Sequence, residues 1–326
     1  MTEPAKTAFA TEPPPWTCPR HGRALRDLGD ELRCPDGDAY PKIDGIPRFV
    51  GDGTYSDAFG VQWRRYRRTQ LDSYSGTRLS YERARRCLGA ELFDDLAARD
   101  VLECGCGAGR FTEVLLARGA RVTSVDLSSA VEANKENFPQ NDRHRIAQAD
   151  LADLPFAPRQ FDVVFCLGVV QHTPSPEQAI ARLYDQVRPG GTLAFDHYSR
   201  RLHWWLSSAP LWREVLRRLP PERGLAVTER LVRIFFPLHR RAGRLGFLLR
   251  RISPVQTYFH AIPELSDEQQ YEWALLDTHD ALTDWYKHFR SQAAIEAILA
   301  GLGLTDITVR EAGNGVEARG RRPQAA

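Results

Sequence analysis

The sequence lacks any long apolar run. No stretch of about 18 or more apolar residues occurs in its 326 residues, so we expect no transmembrane helix. The N-terminal residues MTEPAKTAFATEPPP lack the apolar region of a secretory signal, and we interpret residues 1–15 as a disordered tail. The net charge of +2 gives the whole chain no strong preference for an anionic partner. With 42% hydrophobic residues, the composition is that of an ordinary globular protein.

Cysteine is present in modest number and is unevenly spread. The six cysteines include Cys104, Cys106 and Cys166, which fall in apolar or glycine-rich segments. Such positions indicate buried thiols in a reducing compartment. We therefore predict a cytoplasmic protein.

The pattern of the chain changes at residue 99, where short apolar runs begin to alternate with segments of helical periodicity. This alternation predicts βαβ units and a parallel sheet. We also expect a helix over 81–96 and another that begins at Pro174, with Thr173 as its cap. The chain is therefore divided into a tail (1–15), a compact unit rich in turn signals (16–50), a helical lead-in or lid (51–98), an alternating core (99–197), a helical insertion (198–290) and a C-terminal part of the core (291–326).

A glycine-rich turn follows the first strand of the core. The strand ends at Glu103, glycines stand at 105, 107 and 109, and a helix begins near Phe111. Such a turn brings backbone N–H groups and a helix N-terminus against a polar or anionic ligand. Asp126 ends the next strand, where a carboxylate can accept both hydroxyls of a ribose. Dinucleotide-binding enzymes have the spacing G-x-G-x-x-G; here the third glycine comes one residue early and Arg110 follows it, which disfavours a dehydrogenase.

Three further motifs follow in order: Ala149-Asp150-Leu151, a buried strand beginning at Phe161, and Arg188-Pro-Gly-Gly before the fifth strand. On these motifs the stretch 99–197 resembles the class I S-adenosylmethionine (SAM)-dependent methyltransferase family. The resemblance implies an α/β fold with a Rossmann-like, doubly wound sheet of seven mostly parallel strands, the last one antiparallel. It also implies SAM as the cofactor.

The resemblance implies a role for each motif. Glu103 and the glycine turn face the methionine end of SAM, Asp126 holds the ribose, and Asp150 accepts from the adenine amine. Asp126 and Asp150 as plain helix caps remain an alternative. The predicted cofactor-binding residues are Glu103, Gly105, Cys106, Gly107, Gly109, Arg110, Asp126, Leu127, Asp150, Leu151, Leu167 and Gly168.

Methyl transfer to a hydroxyl needs a group that removes the proton. His172 follows the fourth strand, at the edge where ligands bind in open α/β sheets, and several O-methyltransferases of the resembled family have a histidine there. Asp196 and His197 end the fifth strand and are the second candidates for a base or substrate contact. A structural His172 that hydrogen-bonds a loop carbonyl is the open alternative.

The insertion over 198–290 lies where substrate caps are commonly inserted in the resembled fold. Residues 198–251 carry 13 arginines and three glutamates with no lysine or aspartate, a net charge of +10. Amphipathic helices with arginine on the solvent face are the favoured interpretation; an anionic lipid surface and an RNA-binding surface stay open. The predicted substrate residues are Tyr66, Gln70, Gln171, His260, Tyr286 and His288. The polar residues Glu264, Asp277, His279 and Asp280 of the same stretch could also line a pocket, although no spacing among them specifies a chemistry.

Metal-ligand residue types recur near the N-terminus. Cys18 and His21 form one close pair, and Cys34 follows after twelve intervening residues, with Asp38 or alternatively Asp36 as the fourth ligand. The segment from Cys34 to Val50 resembles the short zinc-ribbon family that also occurs as a methyltransferase-activating subunit. The fourth position is not cysteine, so zinc binding and a metal-free remnant are both open.

We predict a SAM-dependent methyltransferase that acts on a small molecule, at a hydroxyl of a sugar or specialised metabolite. An RNA base methyltransferase is the first alternative, because a zinc knuckle ahead of such a core also occurs in ribosomal RNA guanine methyltransferases. A SAM-binding regulatory protein without catalysis is the second.

Overall fold

The computed structural model describes residues 12–51, 53–199, 207–242, 246–249, 251–313 and 315–324. Most of the predicted tail, and the parts of the arginine-rich stretch at 200–206, 243–245 and 250, lie outside the described residues. Two sheets are present, one of four strands and one of seven. The strands are β1 Arg26–Asp27, β2 Glu31–Arg33, β3 Ala39–Ile43, β4 Ile46–Pro47, β5 Asp100–Cys104, β6 Arg121–Asp126, β7 His144–Gln148, β8 Phe161–Cys166, β9 Val187–Tyr198, β10 Thr305–Ala312 and β11 Gly315–Arg321.

The larger sheet has the order β10-β11-β9-β8-β5-β6-β7. Neighbouring strands from β9 to β7 are parallel, whereas β11 lies antiparallel between β9 and β10. All six residues of β8 are buried, as a strand covered by helices on both faces requires. The predicted α/β fold, with its seven strands and antiparallel last strand, is confirmed.

Helices cover both faces of this sheet and form the insertion. Numbered along the chain, they are α1 Asp57–Arg65, α2 Asp72–Ser75, α3 Leu79–Leu88, α4 Ala90–Asp94, α5 Arg110–Ala117, α6 Ala130–Asn137, α7 Pro176–Gln186, α8 Ala209–Leu216, α9 Pro221–Ala242, α10 Gly246–Leu249, α11 Asp267–Thr283 and α12 Gln292–Gly301. Within the part of the chain that the structure describes, none of these helices combines the length and the apolar character needed to cross a bilayer.

Two predicted helices differ in their bounds. The helix expected over 81–96 is two helices, α3 and α4, because Gly89 adopts a positive φ of 82° between them. The helix expected at Pro174 begins at Pro176. Thr173 does not cap it; its hydroxyl donates to the Val170 carbonyl at 2.8 Å, closing a short 3₁₀ turn over Val170–His172.

Within the insertion, α9 and α11 pack on each other, and both also contact α1 of the lead-in. Val232 and Phe236 of α9 share a buried cluster with Ala274, Leu275 and Leu282. A capping box between Ser266 and Gln269 fixes the start of α11. The capping box therefore fixes where α11 begins, and packing against α9 fixes the direction of its axis.

The small sheet covers the edge strand β7 of the large one. The Phe49 N–H donates to the Gln148 carbonyl at 2.9 Å, and Arg48 forms a parallel bridge with Gln148. Ile46 of β4 is fully buried against Cys106 and Ile146. An edge strand that would otherwise expose unpaired backbone groups is thus partly protected.

Candidate active site

A cavity of about 740 Å³ lies at the carboxyl ends of the parallel strands. Its wall on the core side comes from the turns after β5, β6, β8 and β9, and the opposite wall from α1, α3 and α11. Ligands of open α/β sheets bind at this edge. Ten of the twelve predicted cofactor residues line the cavity: Gly105, Cys106, Gly107, Arg110, Asp126, Leu127, Asp150, Leu151, Leu167 and Gly168.

The glycine turn requires glycine for steric reasons. Gly105 has a φ of +72°, and a Cβ there would lie 2.1 Å from Cγ2 of Val169. Gly109 has a φ of +98° and does not line the cavity; a Cβ there would lie 2.6 Å from the Phe138 ring. The backbone of the turn can therefore approach both its neighbours and a ligand only without side chains.

Asp126 holds the glycine turn and lines the cavity at the same time. One carboxylate oxygen accepts from the Gly107 N–H at 2.9 Å, and the other accepts from the N–H and hydroxyl of Ser128 at 2.8 and 2.7 Å. Burial raises the pKa of this carboxyl, and these bonds oppose the rise. The contact with Ser128 is the local capping interaction that the sequence left open as an alternative role for Asp126. A carboxylate oxygen has capacity for a further donor, so a ribose hydroxyl is compatible with it. Asp150 makes a similar local contact, since its Oδ1 accepts from the Ala152 N–H at 2.9 Å.

Glu103 lies beneath the turn and does not line the cavity. Its Oε2 accepts from the hydroxyls of Thr112 at 2.5 Å and Ser124 at 2.8 Å. Its Oε1 is buried and has no hydrogen-bond partner among the described residues. Burial raises the pKa of Glu103 to about 7, although the two hydroxyl bonds lower it. A buried acceptor without a donor is the kind of group that a cationic part of a ligand satisfies.

His172 lines the cavity beside the end of β8. Its Nδ1 lies 3.1 Å from the Tyr286 carbonyl oxygen and 3.1 Å from Oδ2 of Asp284. Its Nε2 lies 3.2 Å from the Tyr198 hydroxyl, which also lines the cavity. Both neighbours of Nδ1 are acceptors, so the proton belongs on Nδ1 and Nε2 carries the lone pair.

Asp284 is fully buried and surrounded by positive charge. Arg213 Nε lies 2.5 Å from Oδ1, and Lys287 Nζ lies 2.6 Å from Oδ2. Burial alone would raise the pKa of this carboxyl, but Lys287, His172 and Arg213 together lower it to about 2. Asp284 is therefore a permanent anion beside the His172 ring.

The structure does not bring Asp196 or His197 to the cavity as candidate bases. Asp196 accepts from the Gly168 N–H at 2.6 Å and pairs with the Arg83 guanidinium, so both its oxygens are engaged. His197 points to the opposite face of β9, as alternation along a strand dictates, and is buried against the Tyr198 carbonyl. Burial lowers the pKa of His197. Neither residue is placed to remove a proton from a ligand.

Among the predicted substrate residues, Gln70 lines the cavity and the other five do not. Gln70 bridges Arg110 and Asp277 at 2.9 Å each. Tyr66 donates to Glu229 at 2.7 Å, because its helix end faces α9. His260 is exposed in a loop. Gln171 accepts the His288 N–H through its carbonyl at 3.0 Å, and the Tyr286 and His288 rings stack on each other, so these three residues brace the loop behind His172.

Sequence reasoning named Asp277 and Asp280 among several polar residues that could line a substrate pocket, but it missed Asp284. Asp277 and Asp280 line the cavity, and Asp284 follows the helix end. Burial raises the pKa of Asp277 to about 6, against a hydrogen bond from Tyr258. Their spacing of three and four residues places three carboxylates on one helix face, which was the available signal. This spacing of acidic residues does not by itself identify a binding site, because the same spacing is common on the solvent-exposed faces of helices.

The predicted metal ligands are brought together in the small sheet. The ligand atoms of Cys18, His21 and Cys34 all lie within 4.8 Å of one another. The carboxylate of Asp38 reaches the same cluster, with Oδ2 3.0 Å from His21 Nδ1.

Comparison with known proteins identifies the core. Residues 102–195 match the family model described as a methyltransferase domain. The ubiquinone biosynthesis O-methyltransferase of Pseudomonas putida is 35% identical over 130 residues, which cover 38% of this chain and 55% of that protein. The enzyme of the same name from Idiomarina loihiensis is 34% identical over 136 residues, covering 39% and 54%. The chain thus spans about half the length of the curated relatives it matches.

A solved structure with bound SAH, magnesium protoporphyrin IX methyltransferase from Synechocystis, is 16% identical, with 82% of this chain and 96% of that chain covered and a TM-score of 0.44.

Proposed function

We propose that this chain, whose residues 102–195 are a class I SAM-dependent methyltransferase domain, transfers a methyl group from SAM to a hydroxyl of a small-molecule acceptor. The observation that carries the proposal is the buried pair of His172 and Asp284 beside the cavity, with Nε2 of His172 at the cavity wall. Oxygen needs a base for methylation, and this pair is built as one. When bound, SAM supplies the methyl group from its sulfonium.

The residues around the cavity fit the cofactor. Asp126 would hold the ribose hydroxyls and Asp150 the adenine amine, while Leu127 and Leu151 offer apolar contact to the base. Glu103 lies beneath the glycine turn and does not line the cavity, so its buried carboxyl would act on a cationic group at the methionine end through the turn rather than by direct contact. Asp196 fixes the N–H of Gly168, which orients the Leu167–Gly168 turn and its carbonyls.

The proton of the acceptor hydroxyl would pass to Nε2 of His172, directly or through the Tyr198 hydroxyl. The Tyr286 carbonyl would orient the ring through its hydrogen bond to Nδ1, and the Asp284 carboxylate 3.1 Å away would stabilise the imidazolium that forms, a role comparable to that of the carboxylate in a catalytic triad. Asp126, Asp150 and the glycine turn would hold SAM, whose methyl group goes to the acceptor oxygen that His172 deprotonates, with SAH as the leaving group. The main further contribution of the protein is alignment of the two reactants.

A small acceptor is favoured over RNA by two observations. Asp277 and Asp280 place negative charge on the acceptor side of the cavity, which suits hydroxyl or amine donors of a sugar-like or other specialised metabolite. Arg213, Arg217 and Arg240 of the basic stretch are neutralised by acidic partners. The O-methyltransferase names of the two relatives support oxygen as the accepting atom. The cytoplasmic location stays a prediction.

Isothermal titration of the purified chain with SAM tests the cofactor site first, with NAD as the control ligand. We expect micromolar binding of SAM, no binding of NAD, and loss of SAM binding in Asp126→Ala. Formation of SAH is then measured with a panel of hydroxylated acceptors. SAM binding without turnover that depends on His172 would favour a regulatory protein, and turnover on RNA with a steep salt dependence would favour the RNA alternative.

A further inference from the structure

Two tight turns of the small sheet present four ligand-type side chains to one point. In the first turn, the Cys18 N–H donates to the Arg23 carbonyl at 2.7 Å, which carries Cys18 and His21 on one side. In the second, the Cys34 N–H donates to the Asp38 carbonyl at 2.8 Å. Both turns are closed by hydrogen bonds that lie outside the side-chain cluster. The backbone hydrogen bonds of the turns therefore place the four ligand side chains near one another without help from a metal ion.

Four distances link these donor atoms; three fall within the edge lengths of a zinc-centred tetrahedron, and the fourth, between His21 and Asp38, is somewhat shorter. A tetrahedral zinc ion with bonds of about 2.3 Å to sulfur and about 2.0 Å to nitrogen or oxygen separates its ligand atoms by roughly 3.3 to 3.8 Å. His21 Nδ1 lies 3.6 Å from Cys18 Sγ and 3.7 Å from Cys34 Sγ. Asp38 Oδ2 lies 3.4 Å from Cys18 Sγ and 3.0 Å from His21 Nδ1.

The contacts around the cluster favour Asp38 over Asp36 as the fourth ligand. Arg20 donates to Oδ1 of Asp38 at 2.8 Å, which leaves Oδ2 directed to the cluster. The Tyr40 hydroxyl lies 3.1 Å from Cys18 Sγ. Asp36, the other nearby carboxylate, contacts Cys34 Sγ at 3.8 Å through the same oxygen that lies 3.5 Å from Arg23, whereas Asp38 contacts both Cys18 and His21. Partners of this kind orient the ligands of a metal site.

We propose that Cys18, His21, Cys34 and Asp38 bind one zinc ion, with Asp38 replacing the cysteine that would complete two cysteine pairs. Two thiolates, an imidazole and a carboxylate in tetrahedral array favour zinc over magnesium or calcium, which take oxygen ligands. All four protein ligands are present, so the site is closed and structural rather than catalytic. The ion fixes the small sheet, whose β4 packs on β7 and on Cys106 of the glycine turn.

The test is the metal content of the full chain, produced in zinc-supplemented medium without a metal-affinity tag. We expect one zinc per chain by plasma mass spectrometry. In competition with a chromophoric chelator, Asp38→Ala should bind zinc at least about tenfold more weakly, and Asp38→Cys should restore tight binding. Asp36→Ala is the matched control and should bind like the wild type.

Three results would overturn the proposal. One is wild-type protein that holds no zinc even after reconstitution with zinc chloride. Another is an intact mass two hydrogens lower, with Cys18 and Cys34 joined in a disulfide. The third is an Asp38→Ala variant that binds zinc as tightly as Asp36→Ala does, which would exclude Asp38 as the fourth zinc ligand. Circular dichroism of each variant separates loss of the site from loss of the fold, and none of these readouts depends on methyl transfer.

Discussion

Nδ1 of His172 lies 3.1 Å from Oδ2 of Asp284, although the first residue belongs to the core and the second to the helical insertion. The pair forms only when the insertion is docked, since Arg213 and Lys287, which hold Asp284, also come from the insertion. The proposed base is therefore assembled from two parts of the chain, and the insertion contributes to chemistry as well as to acceptor binding.

Asp284→Asn tests this pair. The amide keeps the shape of the side chain but removes the charge that stabilises a protonated His172, so kcat should fall by about 10²- to 10⁴-fold. The affinity for SAM should change little, because Asp284 does not line the cavity. Steady-state kinetics and SAM titration measure the two quantities. Asp267→Asn, an exposed change at the start of the same helix, is the control. An unchanged kcat in Asp284→Asn would remove Asp284 from the mechanism.

Tyr198→Phe separates direct proton transfer from transfer through the Tyr198 hydroxyl. The ring packs on His172 with a centroid distance of 5.2 Å and is kept in this variant. If the hydroxyl relays the proton, kcat should fall by about tenfold or more while KM changes little. Direct transfer to His172 predicts a kcat near that of the wild type. The pH profile of kcat is recorded for both proteins.

Gly105→Ala should destabilise the fold and abolish SAM binding. The added Cβ meets Val169 at 2.1 Å and forces an alanine into a positive φ, so we expect a loss of about 3 kcal/mol or more in the free energy of unfolding. Gly303→Ala is the matched control: it has a φ of +76° but no atom within 4 Å, and should lose only about 1 to 2 kcal/mol. Urea unfolding measures both. Equal losses in the two variants would show that the contact with Val169 relaxes.

SAM affinity should depend on pH through Glu103. Burial raises the pKa of Glu103 to about 7 in the unliganded chain, so the carboxyl is mostly protonated at lower pH. A cationic group of the cofactor favours the charged form, so binding releases a proton and tightens as the pH rises. Between about pH 5.5 and 7 the Kd should fall on the order of tenfold. Glu103→Gln should bind more weakly and without this slope; a slope that persists in the variant assigns the proton to another group.

Ile46→Ala tests the coupling of the small sheet to the cofactor turn. Ile46 is fully buried against Cys106, so its truncation should cost about 2 to 4 kcal/mol of unfolding free energy and weaken SAM binding. Ile43→Ala, at a side chain that is 53% exposed, should change neither quantity appreciably. If Ile46→Ala lost stability but bound SAM as tightly as the wild type, the small sheet would not influence the turn.

The alternation of strands and helices and the cofactor side of the site could be predicted because their signals are local. The glycine spacing after Glu103 and the acidic residues at strand ends depend on backbone geometry within a few residues. Parallel strands then align these ends at one edge without further information. This explains why ten of the twelve predicted cofactor residues line one cavity.

The acceptor side could not be predicted, because its residues meet only through tertiary packing. His172, Tyr198 and Asp284 are far apart in sequence, and no spacing links them. The prediction of His197 as a second base had the right strand but the wrong face, since one residue along β9 reverses the side-chain direction. Among the polar residues named from 260 onwards, helix phase and docking place Asp277 and Asp280 at the cavity but leave His260 outside it, a distinction that the sequence did not make.

Helix α11 carries the cavity-lining Asp277 and Asp280 on the same stretch that ends at Asp284. A recombination event that exchanged this segment for another would therefore replace the acceptor-recognition surface and the partner of the base in one step. A change of acceptor that keeps the proposed base would therefore require substitutions along α11 that leave Asp284 in place.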